Sequence, residues 1–275
     1  MVSDPDVTPG VTTASSDHKP RRAFLTGAIT GIVLAAIAVV GYTRLFPPSK
    51  ITSSKPHSFK TVSCPREAST SNLTDGGCDD AVTSFSLNSN PNGNWAYGYT
   101  PKDDVSNFVL FDRADHNNHY GSPEVPVDWW HRADAWHPLI LRNTSPFTIV
   151  IQDGVVLPIN MFEIHPRPKG ERSDLRWTAP ADGHYRAQGQ FRGLNTNGYT
   201  STDALVVENG RDVRFSEDIS GYNEEKPFDL TFKLAVGQTI DFSVGYGSNN
   251  AYEGDSTGFS VIITTILAER PLSTP

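Results

Sequence analysis

The sequence predicts an all-β protein, a jelly-roll-like two-sheet β-sandwich preceded by one N-terminal transmembrane helix. Three observations carry that expectation. Beyond Cys78 no segment keeps a helical period for three turns, whereas short alternating or β-branched runs recur along the chain. Gly, Asn, Asp and Pro punctuate those runs at short intervals, as the tight connections of a sandwich require. Among 275 residues, 37% are hydrophobic and 10% aromatic, enough to fill a substantial core.

The first element is apolar. From Ala23 to Thr43 the chain carries no charged residue, and about 20 apolar residues are what a bilayer core of roughly 30 Å needs. Lys19, Arg21 and Arg22 lie directly before it. The positive-inside bias then keeps residues 1–22 in the cytoplasm and sends the rest across, to the periplasm or the exterior. Two fates fit this segment. "RRAFL" resembles a twin-arginine export signal, although Pro20 and Thr26 depart from the usual flanks, and Ala36 and Ala38 offer a small-residue cleavage site. The apolar run continues through Val39, Val40 and Tyr42, a length that suits a retained anchor better than a cleaved, secreted form.

Residues 44–84 read as a linker with a disulfide loop. "RLFPPSKITSSKPHSFK" is rich in Pro, Ser and Lys. Cys64 and Cys78 both fall on the exported side, where an oxidising compartment favours their pairing. Closing so short a loop contributes about 3 kcal/mol on the chain-entropy argument. With neither a Cys-x-x-Cys pair nor an adjacent His, these cysteines do not suggest metal or redox chemistry.

The sandwich is expected over residues 85–268, with 269–275 a short tail. In "NWAYGY" the rings of Trp95, Tyr97 and Tyr99 share one face at period two, a core stripe with Trp177 beside or opposite them. "FVLF" (108–111) and "LILR" (139–142) read as buried strands. Thr148–Ile151 and Val155–Ile159 form a hairpin around Asp153-Gly154, which supplies the positive φ angles a two-residue turn needs. Strands flank the Pro180–Gly183 turn, and Ala204–Val207 pairs with Val213–Phe215 around Asn209-Gly210. Phe228, Leu230, Phe232 and Leu234 alternate before the turn at Val236-Gly237, and Ile240, Phe242 and Val244 alternate after it. "FSVIITTIL" (259–267) closes the fold. Between Arg113 and Pro138 no period holds, so this stretch reads as a loop, and a loop so long in a compact domain is either functional or wrongly assigned.

A set of motifs points further. "NPNGNWAYGY", "RWTAPADGHY", Gly-x-Phe at 189–191, the Leu-x-x-Gly-x-x-Ile-Asp-Phe-x-Val-Gly-x-Gly run from Leu234 to Gly247, and "DSTG" at 255–258 together resemble a domain of bacterial exported proteins of the PEP-CTERM type. The resemblance spans about residues 85–265. It implies a β-sandwich of the carbohydrate-binding kind at the cell surface, and it brings no catalytic residues with it. The polar "LAERPLSTP" departs from that pattern, which ends in a sorting segment.

Composition narrows function. Of the formal charge of −8, residues 1–49 hold four cations and three anions, leaving −9 for the remainder. So acidic a domain argues against a nucleic-acid partner. No Gly-x-Ser-x-Gly elbow, His-Glu-x-x-His, phosphate loop or dinucleotide fingerprint is present. Paired carboxylates for glycoside hydrolysis are set by the fold and leave no mark in spacing.

Two groups of residues remain as candidates. Trp129, Trp130, Trp136 and Tyr120 form the strongest hint of a ligand surface, because a flat ring with a polar edge suits a sugar or a protein partner; the alternative is that they cap the sandwich. Asn249, Asn250, Glu253 and Asp255, with Asp203 across the fold, offer the hard oxygen ligands of a calcium site, or else the Asx hydrogen bonds of a turn. His116, His119, His131 and His137 read as loop residues, and His165 and His184 as strand-end residues with local hydrogen bonds. The expectation is a non-catalytic binding or adhesion module, tethered to the membrane and facing a polysaccharide or cell-surface partner. An anchored or secreted polysaccharide hydrolase and a structural envelope or biofilm protein are the rivals.

Overall fold

A computed structural model describes Cys64 and residues 77–101, 104–151, 154–198 and 200–266. The apolar segment 23–43, its flanks and the C-terminal tail lie outside the described residues. Among the described residues no helix is long and apolar enough to cross a membrane.

Two antiparallel sheets face each other. The first has the order β14 (Glu225–Leu234), β11 (Gly183–Gly193), β16 (Thr257–Thr265), β9 (Phe162–His165), β6 (Ala135–Asn143), β5 (Ser122–Arg132), β4 (Arg113–His119), with β1 (Cys78–Asp80) also paired to β16. The second has the order β13 (Asp212–Ile219), β12 (Thr202–Glu208), β15 (Thr239–Gly245), β10 (Arg172–Thr178), β2 (Trp95–Thr100), β3 (Val109–Leu110). A separate hairpin joins β7 (Ile149–Ile151) to β8 (Val155–Leu157). Gly154 takes a φ of +77° there, which a side chain disfavours.

The period-two pattern decides what fills the space between the sheets. Tyr185, Ala187 and Phe191 on β11 meet Phe228 and Phe232 on β14, and Phe242 on β15 packs on Phe259 of β16 at 5.1 Å between ring centres. Trp95 and Trp177 are register partners on β2 and β10. Burying rings of this size removes the largest apolar areas in the chain from water, at about 25 cal/mol per Å². The Cys64–Cys78 disulfide is present at the start of β1.

Three expectations need correction. Arg113–Pro138 is no loop, because it contains β4, β5 and the start of β6. Its pattern hid the strands because β5 and β6 bury both faces: Trp130 and Ile140 lie in the main core, while Trp129, Leu139 and Leu141 join Leu157 and Met161 in a second apolar cluster on the other side of the sheet. "FVLF" contributes only the two-residue, exposed β3, and Phe111 beyond it is the buried ring. Strands flank the turns at Pro180–Gly183 and Val236-Gly237 as expected, and each turn carries the chain from one sheet to the other. Sheet pairing also starts at Cys78, within the stretch read as linker.

Candidate functional site

The outer face of the first sheet carries the chemistry. On β9, Phe162 and Ile164 point into the core, so Glu163 and His165 point the other way. On β6 the same parity turns His137 outward beside Leu139 and Leu141. These side chains form the floor of a pocket of about 170 Å³. Its walls come from His119 and Tyr120 at the β4–β5 turn, from Ile151 and Val155 of the small hairpin and from Asn195. The β15–β16 connection closes it with Tyr252, Glu253 and Ser256. A cavity of ~150 Å³ holds one benzene ring, so this pocket admits one ring-sized group.

The buried polar groups are unusual. Glu163 is 2% exposed; Ser256 hydrogen-bonds to its carboxyl, while Oε2 has no partner. Burial pushes this carboxyl up to about 7. Burial also pushes His165 down to about 4, against its hydrogen bond to the Pro166 carbonyl. That bond, at 2.9 Å, fixes the proton on Nδ1, because a carbonyl oxygen only accepts. His137 is pushed down to about 2 by burial and by the neighbouring His165 and His119 rings. Its Nε2 lies 2.8 Å from the Tyr120 hydroxyl. Near neutral pH both imidazoles are therefore uncharged, and no Lys or Arg lines the pocket.

The aromatic candidates separate. Tyr120 stands in the pocket wall. Trp129 is fully buried beneath it, edge-on at 5.5 Å and stacked on His131 at 4.1 Å. Trp136, 43% exposed, lies 5.9 Å from Tyr120 and extends the row of rings onto the surface. Trp130 is packed in the sandwich core, stacked on Tyr97, with its indole N–H donated to the Ser86 carbonyl, and it takes no part in the surface. The four histidines read as loop residues sit on or beside strands instead. His119 and His131 are buried, His131 held by Asp115 at 2.8 Å, and only His116 is open to solvent.

The five oxygen-ligand candidates separate as well. Asp203 is paired with Arg172 and accepts the Gly247 N–H at 2.9 Å. Asn250, with Asp203 and Arg172, lines a different pocket of about 270 Å³. Asn249 caps the Ala251 N–H at 2.9 Å, as an Asx turn does. Asp255 is buried, accepts the Ser201 N–H and is pushed up to about 7 by burial. Of the five, only Glu253 lines the pocket on the first sheet. Among the described residues no three His, Cys, Asp or Glu side chains gather as a metal ion requires.

The connection from Gly245 to Ser256 crosses between the sheets rather than joining paired strands. Gly247 has a φ of +67°, and a Cβ there would lie 1.8 Å from the Ser201 carbonyl oxygen. Gly247→Ala should therefore cost about 1–3 kcal/mol or more, read as a lower Tm in thermal unfolding. An unchanged Tm would remove this account of the glycine.

Sequence reasoning missed Glu163 and Asn195, and placed His165 only as a strand end. The one available signal was parity: "MFEIH" alternates apolar and ionisable residues, but a surface strand does the same.

No family model matches the chain, and no curated protein matches its sequence. The resemblance to exported surface proteins thus rests on its motifs alone. Solved structures with a similar arrangement include the sugar-binding EclA C-terminal domain, at 17% identity over 32% of this chain and 64% of that one, with a TM-score of 0.27. CBM51 from Clostridium perfringens GH95, solved with methyl-galactose, matches at 13% identity over 57% and 95%, TM-score 0.32. A family 35 carbohydrate-binding module from Clostridium thermocellum matches at 12% over 42% and 85%, TM-score 0.27. Pika GITRL matches at 15% over 35% and 75%, TM-score 0.24. The chain spans 64% of the length of the EclA domain. With every TM-score below 0.5, these likenesses assign neither family nor ligand.

Proposed function

We propose that this protein is a non-catalytic carbohydrate-binding module whose pocket on the outer face of the first sheet takes one sugar ring. The observation that carries the reading is Glu163, which lines a ring-sized pocket and whose buried Oε2 has no hydrogen-bond partner. Leaving such a group unpaired costs about 1–3 kcal/mol, which a ligand hydroxyl or amine recovers. Tyr120 and Tyr252 supply aromatic surface, and Asn195 and Ser256 polar groups, in the combination that a sugar ring needs. The alternation of β9 to β16 between the two sheets, in the orders β9-β16-β11-β14 and β10-β15-β12-β13, supports the jelly-roll reading of the scaffold.

The domain is proposed to face an oxidising, extracytoplasmic space, tethered by residues 23–43. The Cys64–Cys78 disulfide supports that placement. Intact-mass measurement of the membrane fraction tests the tether: a full-length mass supports it, and a mass lacking the first 40 or so residues overturns it in favour of secretion.

Binding is tested with the full-length chain on a glycan array and by affinity electrophoresis. Tyr252→Ala should weaken binding of any retained glycan by about 10- to 100-fold. A variant that binds as well as the parent, or a parent that retains no glycan, would overturn the reading. Trp136→Ala should weaken oligosaccharides by a few fold while leaving a monosaccharide unaffected, because Trp136 lies beyond the pocket on the same ring row.

One observation favours a hydrolase as the second reading: Glu163 and Glu253 face the same pocket, with Glu163 held protonated into the neutral range as a general acid is. Release of reducing ends by the parent, abolished in Glu163→Gln, would establish it. Binding without release supports the module.

A further inference from the structure

We propose that the ring held in this pocket is an amino sugar with a free ammonium group, recognised by Glu163 and Glu253 together. The inference rests on the carbohydrate-binding reading and names its ligand class. Three observations converge on it. The pocket lining includes the carboxyls of Glu163 and Glu253 and the rings of His119, His137 and His165, and no Lys or Arg, so an acidic sugar finds no cationic partner there. Glu163 Oε2 is buried and unpartnered, and an ammonium donor satisfies it with a charge-assisted hydrogen bond, about twice as strong as one from a hydroxyl. Tyr120 and Tyr252, from different connections, both line the pocket with aromatic surface, which attracts a cation further.

The histidines do not compete for this role. Burial keeps His137 and His165 neutral down to acid pH, so neither repels an incoming ammonium at pH 7. The same burial that raises Glu163 is reversed by a cation at contact distance, which draws the carboxyl into its charged form. A neutral ring gains no such pairing.

Titration calorimetry of the full-length chain at pH 7 tests this with D-glucosamine, D-glucose, N-acetyl-D-glucosamine and D-glucuronate. Glucosamine should bind about tenfold or more tighter than glucose, N-acetylglucosamine should behave as glucose does, and glucuronate should not bind. Glu163→Gln should reduce glucosamine binding to the level of glucose. Glu253→Gln, in a connecting segment where the substitution leaves the core intact, should lose part of the same preference. Equal binding of glucosamine and glucose, or a preference that survives both substitutions, would overturn the amino-sugar assignment while leaving the carbohydrate reading standing. Failure of all four sugars, with no glycan retained on the array, overturns both. Binding of lysine amide as tightly as glucosamine would mean that the ammonium alone is recognised, and would also overturn the assignment.

Discussion

Asp79→Ala should destabilise the domain by about 3 kcal/mol, a fall in Tm of roughly 6–12 °C for a domain of this size. The reason is the position of one carboxylate. Asp79 sits on β1, which pairs with β16 in the first sheet, yet its oxygens accept the indole N–H of Trp95 at 2.7 Å and of Trp177 at 3.0 Å from the second. Asn94 and Ser84 donate to it as well. Both indoles are buried, so removing the acceptor leaves two donors without partners. Their rings cannot turn away, because Trp177 is packed edge-on against Tyr185 at 4.9 Å and Trp95 against Phe242. Asp79→Asn keeps one acceptor oxygen and should fall between the parent and the alanine variant. Thermal unfolding followed by circular dichroism measures the series. An alanine variant within 2 °C of the parent would show that water replaces the carboxylate and that β1 does not latch the sheets.

Asp79 also illustrates what a single sequence conceals. Elsewhere period two declares the strands: Phe228 to Leu234 alternates because one face of β14 is exposed, and Ile240 to Val244 alternates because the residues between its apolar side chains, Asp241 and Ser243, are polar although buried. β5 and β6 leave no such trace. Trp129 and Trp130 are adjacent and both buried, one on each side of the sheet, so the run looks irregular just where the sheet is covered on both faces. Turn chemistry is equally incomplete: Pro180–Gly183 and Val236-Gly237 announce that the chain reverses, but not whether it returns to the same sheet. Tyr120 and Glu253 were each visible as candidates for different reasons. Their meeting in one pocket depends on β9 lying between β6 and β16, a long-range order that local pattern does not encode. Glu163 was invisible for the same reason, since an isolated acid on an alternating strand reads as a solvated face.

The pocket should leave a signature in the pH dependence of stability, with opposite signs for its acid and its base. Unfolded, His165 titrates near 6.5; folded, it titrates near 4. Between those values the unfolded chain holds a proton that the fold excludes, so this residue removes stability as pH falls from 6.5, about 3 kcal/mol by pH 4. His137, held near 2, acts in the same direction over a wider window. Glu163 does the reverse. Its unfolded value is 4.5 and its folded value about 7, so the fold keeps a proton that the unfolded chain releases, and stability is lost as pH rises through that window. Asp255, at about 7, and Asp174, at about 6, add to that alkaline loss. The parent profile sums these opposed terms, and variant differences separate them. Relative to the parent, Glu163→Gln should gain about 3 kcal/mol between pH 4.5 and 8, because the amide has no proton to lose. His165→Gln should gain a similar amount between pH 6.5 and 4. Urea unfolding at a series of pH values measures both differences, and a difference that stays constant with pH would show that the residue is hydrated in the fold. Ligand adds a third arm. An ammonium bound at Glu163 restores the charge balance that burial disturbs, so saturating glucosamine at pH 7 should erase the advantage of Glu163→Gln, whereas glucose should leave it in place.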